Sequence, residues 1–139
     1  MTTAPTSTVL LIDDDPFYLR VLAETFRQNG YTVFTAHDGI EGIKRYLDKL
    51  PQVVISDLVM PRLGGVSTCK EIRRLALERG EREPIIILLT SMIHEPPHQH
   101  EVPDMGARYH IPKSSSTLDI VILVEQLLAQ QLSTPDQPA

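Results

Sequence analysis

Hydrophobic positions along the chain fall into two alternating kinds of run. The segments TVLLI (8–12), TVFTA (32–36), VVISD (53–57) and PIIILL (84–89) are short, aliphatic or β-branched, and bounded by turn-forming or acidic residues. Runs that are apolar at nearly every position read as strands buried on both faces of a parallel sheet. RYHI (108–111) supplies a fifth short strand. Between these runs, apolar residues recur every three or four positions, the period of a helix with one buried face. Residues 16–29 carry Phe17, Val21 or Leu22, Ala23 and Phe26; residues 39–47 carry Ile40, Ile43 and Leu47; residues 66–78 carry Val66, Cys69, Ile72 and Ala76. A final helix over about 116–131 buries Ile120, Leu123, Val124, Leu127 and Leu128, while Leu118, Val121 and Ile122 widen its apolar coverage.

The ends of these helices carry matching punctuation. Asp15 and Asp38 are caps, Pro16 fits a first turn where its missing N–H costs nothing, and Asn29-Gly30 is a stop. Ser116-x-x-Asp119 is close to a capping box. Strand alternating with helix predicts a doubly wound α/β fold around a five-stranded parallel sheet. Residues 8–131 form that domain, residues 1–7 an N-terminal tail, and residues 132–139 a polar tail or the start of a linker.

Composition narrows the function classes. With 139 residues, 42% hydrophobic and 22% charged, the chain has the make-up of one ordinary globular domain. A net charge of −5 gives no reason to expect nucleic-acid binding. Cys69 is the only cysteine, so no internal disulfide exists and a reducing, cytoplasmic setting is the simpler expectation. No apolar run approaches the roughly 18 residues of a membrane helix, and MTTAPTST has neither the basic start nor the apolar stretch of a signal peptide.

In an open parallel sheet, functional groups gather at the carboxyl ends of the strands. Read in order, those ends give Asp13-Asp14-Asp15, then Asp57, then Thr90-Ser91, with Lys113 just after the last strand. Asp15 fits a helix cap; Asp13, Asp14 and Asp57 would repel one another and raise each other's pKa. A hard divalent cation such as Mg²⁺ would relieve that, and three carboxylates, one ammonium and Mg²⁺ sum to zero charge. Such a pocket can accept a phosphoryl group on a carboxylate, with Thr90 and Lys113 gripping its oxygens.

Four motifs in order, LLIDDD, SDLVMPRLGG, IILLTS and GARYHIPKSSS, each at a strand end, resemble those of the receiver domain of two-component response regulators. The resemblance spans about residues 8–131 and includes the acceptor pattern D-x-x-M-P-x-x-x-G. It implies a flavodoxin-like strand order 2-1-3-4-5 and a phosphoacceptor switch rather than a turnover enzyme. Asp57 would take the phosphoryl group from a sensor histidine kinase or a histidine phosphotransfer protein. Asp14 and Asp57 would ligate Mg²⁺ (or Mn²⁺) directly, Asp13 through water, with the backbone carbonyl of Val59 as a further ligand. Thr90 and Lys113 would bind phosphoryl oxygens, and Gly65 would permit the turn that closes the loop after Asp57. Adding about −1.5 to −2 charge at Asp57 would pull Thr90 inward and signal to a downstream protein target. Receivers often dimerise, and the extra apolar face of the last helix makes a homodimer one use of it.

Several positions depart from the family pattern. His110 stands where the family has an aromatic switch residue on the fifth strand, with Tyr109 on the opposite face. Ser114 replaces a proline commonly preceded by a cis bond, so a trans peptide is expected. Val59 and Met92, two residues after the acceptor and the threonine, are apolar where polar groups assist hydrolysis, which implies a long-lived phosphorylated state. IHEPPHQHEVPDMG (93–106) occupies the family's fourth helix, yet Pro96, Pro97 and Pro103 predict that helix shortened or replaced by loop. His94, His98 and His100 lack a recognised ligand frame for a metal. Two other functions compete: a pseudo-receiver that binds partners without phosphorylation, and a haloacid-dehalogenase-like phosphatase using Asp13 and Asp15 as a D-x-D pair. The first usually lacks the acceptor or the lysine, and the second leaves DLVMP unexplained.

Overall fold

A computed structural model describes residues 6–90 and 107–133. The expectations for residues 93–106, for Met92 and for the histidine cluster lie outside the described residues. Five strands, β1 (Thr8–Ile12), β2 (Thr32–Ala36), β3 (Val53–Asp57), β4 (Ile85–Thr90) and β5 (Tyr109–Pro112), form one parallel sheet in the order β2-β1-β3-β4-β5. The helices are α1 (Pro16–Gln28), α2 (Gly39–Lys49), α3 (Gly65–Glu78) and α4 (Thr117–Ser133). Both the architecture and the strand order agree with the sequence reading.

Strand alternation divides the interior into two layers. Val9, Leu11, Val53, Ile55, Ile87 and Leu89 pack under α1 and α4. Leu10, Ile12, Val54, Ile86 and Leu88 pack under α2 and α3. The central strands β1, β3 and β4 are buried almost throughout, because both faces are covered; edge strand β2 is only partly buried. In α4, Ile120, Val121, Val124 and Leu127 are buried, so Val121 belongs to the core side, whereas Leu118 and Ile122 face outward.

Two helix faces differ in part from the expected ones. On α1 the buried stripe is Leu19, Leu22, Ala23 and Phe26, while Phe17 is 73% exposed and Val21 lies outward. The stripe at i, i+3, i+4 and i+7 meets the sheet, and Phe17 and Val21 fall off it. On α2, Ile43 and Leu47 pack against the core as expected, beside buried Gly39, Gly42 and Tyr46, and only Ile40 of the expected face is outward. The absence of a side chain at Gly42, against Ile12, lets this helix approach the sheet on a face other than that of Ile40.

The caps follow the sequence. Asp15 Oδ1 accepts from the Phe17 and Tyr18 N–H groups at 3.0 and 3.3 Å, Asp38 Oδ1 from Glu41 N–H at 2.8 Å, and Ser116 Oγ from Asp119 N–H at 3.0 Å. Asn29 ends α1, and Gly30 follows in the left-handed region at φ 89°. Because Ile72 is fully buried on α3 and Leu77 is 82% exposed on the same helix, their truncations should differ sharply. Ile72→Ala is expected to cost about 2–5 kcal/mol in urea unfolding, and Leu77→Ala within about 0.5 kcal/mol of zero; equal costs would contradict this packing.

Candidate functional site

The carboxyl ends of β1, β3, β4 and β5 open onto one edge of the sheet. Register sets which residues meet there: Ile12 pairs with Ser56, Asp57 with Leu89, and Thr90 with Pro112. Asp13 and Asp57 therefore emerge side by side, and Lys113 follows directly on β5. Alternation puts Asp13, Asp57 and Lys113 in the rows of Leu11, Ile55 and Ile111, the face covered by α1.

Side-chain geometry bears this out. One carboxylate oxygen from each of Asp13, Asp14 and Asp57 lies within 4.8 Å of the others. Lys113 Nζ is 2.8 Å from Asp13 Oδ2 and 3.7 Å from Asp57 Oδ1. Asp13 Oδ1 accepts from the Asp15 N–H at 2.9 Å, which fixes that carboxylate in the β1–α1 turn. Asp13 and Asp57 are buried; Asp14 is exposed. Asp57 Oδ1 is buried without a hydrogen-bond donor among the described residues.

The electrostatics follow from this crowding. Burial first, then the Asp13 charge, push the Asp57 carboxyl up to about 6, against a smaller downward pull from Lys113. Burial draws the Lys113 ammonium down, but its hydrogen bond to Asp13 and the charges of Asp13 and Asp57 outweigh this, leaving it above its ordinary value. Tyr18 of α1 is pushed up to about 12 by burial and by the charges of Asp13 and Asp57.

A divalent cation suits this donor set. Three hard oxygen donors converge, the buried Asp57 Oδ1 lacks a hydrogen-bond donor among the described residues, and a cation would offset the carboxylate repulsion that, after burial, raises Asp57. Asp15 is spent as the α1 cap, so no Asp13/Asp15 pair faces the site, against the D-x-D phosphatase reading.

The remaining expected residues are placed as follows. Thr90 ends β4, partly buried, and its carbonyl accepts from the Lys113 N–H at 2.7 Å. Val59 follows the acceptor with a side chain 66% exposed. His110 sits on β5 opposite Leu88, its Nε2 buried and without a hydrogen-bond partner among the described residues. The peptide between Lys113 and Ser114 is trans. Gly65 has an ordinary φ, and close approach is what requires glycine there. A Cβ would collide with the Asp57 carbonyl oxygen, which sits against the start of α3. The Gly65 N–H also donates to the Leu58 carbonyl at 2.9 Å, closing the loop after the acceptor.

Two participants escaped the sequence reading. Arg62, in that same loop, adopts φ 69° and forms an ion pair with Asp38. The Glu41 N–H and then Arg62 hold the Asp38 carboxyl below its usual range. Arginine is an unusual residue at a left-handed position, so no local pattern announces the pair. Tyr18 places its ring 4.6 Å from Lys113 Nζ, a contact that depends on the turn of α1 over the sheet edge.

A family model described as the response regulator receiver domain matches residues 9–125. The chain is 29% identical over 132 residues to the response regulator MprA of Mycobacterium ulcerans, covering 94% of this chain and 54% of the relative. The chain thus spans about half the length of the curated relatives it matches. Chemotaxis response regulator CheY4 of Vibrio cholerae superposes with TM-score 0.76 at 25% identity, covering 88% of this chain and 99% of that one. The receiver domain of the putative response regulator NarL from Mycobacterium tuberculosis superposes with TM-score 0.76 at 21% identity, covering 91% and 100%.

The raised Asp57 pKa has a consequence for stability. Without metal, the folded state holds the Asp57 proton more tightly than the unfolded chain does. The associated stability is therefore fully present below about pH 4 and lost as pH rises through about 6. In metal-free protein, Asp57→Asn is expected to be about 1–2 kcal/mol more stable than wild type at pH 7, with the gap closing near pH 4. Urea unfolding at the two pH values measures this; a gap that is constant with pH would refute the assignment.

Proposed function

The chain belongs to the response regulator receiver domain family of two-component systems, and from that premise we propose that it is a phosphoacceptor switch whose acceptor is Asp57. The observation that carries the proposal is a buried carboxylate oxygen lacking a hydrogen-bond donor, flanked by a lysine and two further carboxylates. With a pKa near 6, Asp57 is mostly ionised at neutral pH and available as a nucleophile.

The transfer balances simply. An Asp57 carboxylate oxygen attacks the phosphorus of a phosphohistidine on a sensor kinase or a histidine phosphotransfer protein. The O–P bond forms as the P–N bond breaks, and the electron pair leaves on the imidazole nitrogen, which takes up a proton. Lys113 supplies positive charge beside the arriving oxygens, and the Thr90 hydroxyl offers a donor from the end of β4. Asp13, Asp14, Asp57 and the Val59 carbonyl would hold Mg²⁺ or Mn²⁺, which when bound neutralises charge on the carboxylates and the phosphoryl group. The unit that performs this is residues 8–131, in a cytoplasmic setting consistent with the single buried cysteine.

Signalling would run through β4 and β5. Thr90 and Lys113 are joined by a backbone hydrogen bond, so movement of the Thr90 hydroxyl toward a new phosphoryl group is felt at β5, where His110 stands. That side chain is polar where the family has an aromatic ring, and its buried Nε2 makes inward and outward positions differ in hydrogen bonding. A downstream protein reads the change; a homodimer through α4 is a second use of the outward Leu118 and Ile122.

Acetyl phosphate with Mg²⁺ provides the test. Intact-mass spectrometry is expected to show one added phosphoryl group on wild type and none on Asp57→Asn. The apolar, exposed Val59 two residues beyond the acceptor predicts a phosphorylated half-life of minutes or longer. A wild-type chain that never takes the label belongs to a pseudo-receiver, and a half-life of seconds would refute the role given to Val59.

A further inference from the structure

Tyr18 lies in the first turn of α1, directly after the β1–α1 turn that carries Asp13 and Asp14. Asp13 Oδ1 accepts from the Asp15 N–H, and Asp15 Oδ1 accepts from the Tyr18 N–H, so carboxylate-to-backbone hydrogen bonds tie the cluster to the helix that presents the ring. The ring packs against Leu11, Ile55, Leu89 and their neighbours under α1. Lys113 Nζ lies 4.6 Å from the ring centroid while reaching Asp13 Oδ2 at 2.8 Å. The Tyr18 hydroxyl is buried without a hydrogen-bond partner among the described residues. Contact with the lysine is therefore made by the ring, and no hydrogen bond of the hydroxyl is involved.

We propose that Tyr18 is a positioning residue for phosphoryl transfer, its aromatic face holding the Lys113 ammonium between Asp13 and Asp57. A lysine side chain has four rotatable bonds, and a carboxylate pair restrains only its tip. The ring closes the side of the ammonium turned toward α1 and attracts it through its quadrupole. The charge that meets the phosphoryl oxygens is thus preorganised by a residue that itself touches none of the reacting atoms. Nothing in the acceptor pattern D-x-x-M-P-x-x-x-G requires an aromatic residue at this position.

The inference rests on the acceptor reading above, so its test has one arm that does not. In metal-free protein, Lys113 Hε protons are expected to show ring-current upfield shifts by NMR, retained in Tyr18→Phe and lost in Tyr18→Leu. In the second arm, Asp57 labelling by acetyl phosphate with Mg²⁺ is expected to slow about three- to tenfold in Tyr18→Leu, while Tyr18→Phe stays within about twofold of wild type. Rescue by phenylalanine separates a ring effect from loss of the hydroxyl, and matched thermal melts check that Tyr18→Leu is folded. Unshifted Lys113 protons in wild type overturn the inference, as does a Tyr18→Leu rate equal to wild type or a Tyr18→Phe rate as slow as that of leucine. A wild type that shows the ring-current shift yet takes no label overturns the acceptor reading and the role in transfer together, leaving the lysine–ring contact established.

Discussion

Three carboxylates brought within 4.8 Å of one another at the end of a buried sheet repel, and one lysine does not offset them. Lys113 approaches Asp13 more closely than Asp57, and burial first, then the Asp13 charge, raises the Asp57 pKa to about 6. The pocket is held in this arrangement by parts of the molecule that have no other outlet. The strands feeding it are fully packed on both faces, and the Gly65–Asp57 approach leaves no room for the acceptor loop to relax. Local strain of this kind persists only where the surroundings over-determine it. Added positive charge beside Asp57 opposes the carboxylate repulsion that contributes to its raised pKa.

The same frame explains how a local charge event reaches a surface. Lys113 and Thr90 share a backbone hydrogen bond, so β4 and β5 are joined where they meet the pocket. Asp38, a helix cap, holds Arg62 in the acceptor loop, so the β2–α2 turn is fastened to that loop as well. Two connections leave the pocket, one toward β5 and one toward α2. The first passes His110, whose ring Nε2 is buried without a hydrogen-bond partner among the described residues.

Much of this was legible in the sequence because strand periodicity and strand-end chemistry are local signals. The runs at 8–12, 32–36 and 53–57 became β1, β2 and β3 unchanged, and the caps at Asp15 and Asp38 hold as expected. The cluster of Asp13, Asp14, Asp57 and Lys113 was legible because carboxyl ends of parallel strands must converge. What failed was the choice among competing faces. On α1, Ala23, Phe26 and the alternative Leu22 are buried as expected, while Phe17 and Val21 are not and Leu19 takes their place, a choice that only the sheet beneath decides. On α2 the decision rested on Gly42, whose lack of a side chain carries no hydrophobic signal. Arg62 and Tyr18 were missed because their partners, Asp38 and Lys113, are 24 and 95 positions away and match no spacing rule.

If burial and carboxylate repulsion together hold a proton on Asp57 near neutral pH, a divalent cation must displace it. Calorimetric titration of metal-free protein with Mg²⁺, repeated at pH 6 in buffers of different ionisation enthalpy, measures that proton directly. The account predicts release of about half a proton per ion at pH 6, falling toward zero at pH 8, with tighter binding at the higher pH. Binding with no proton release at either pH, or no binding at all, would contradict it.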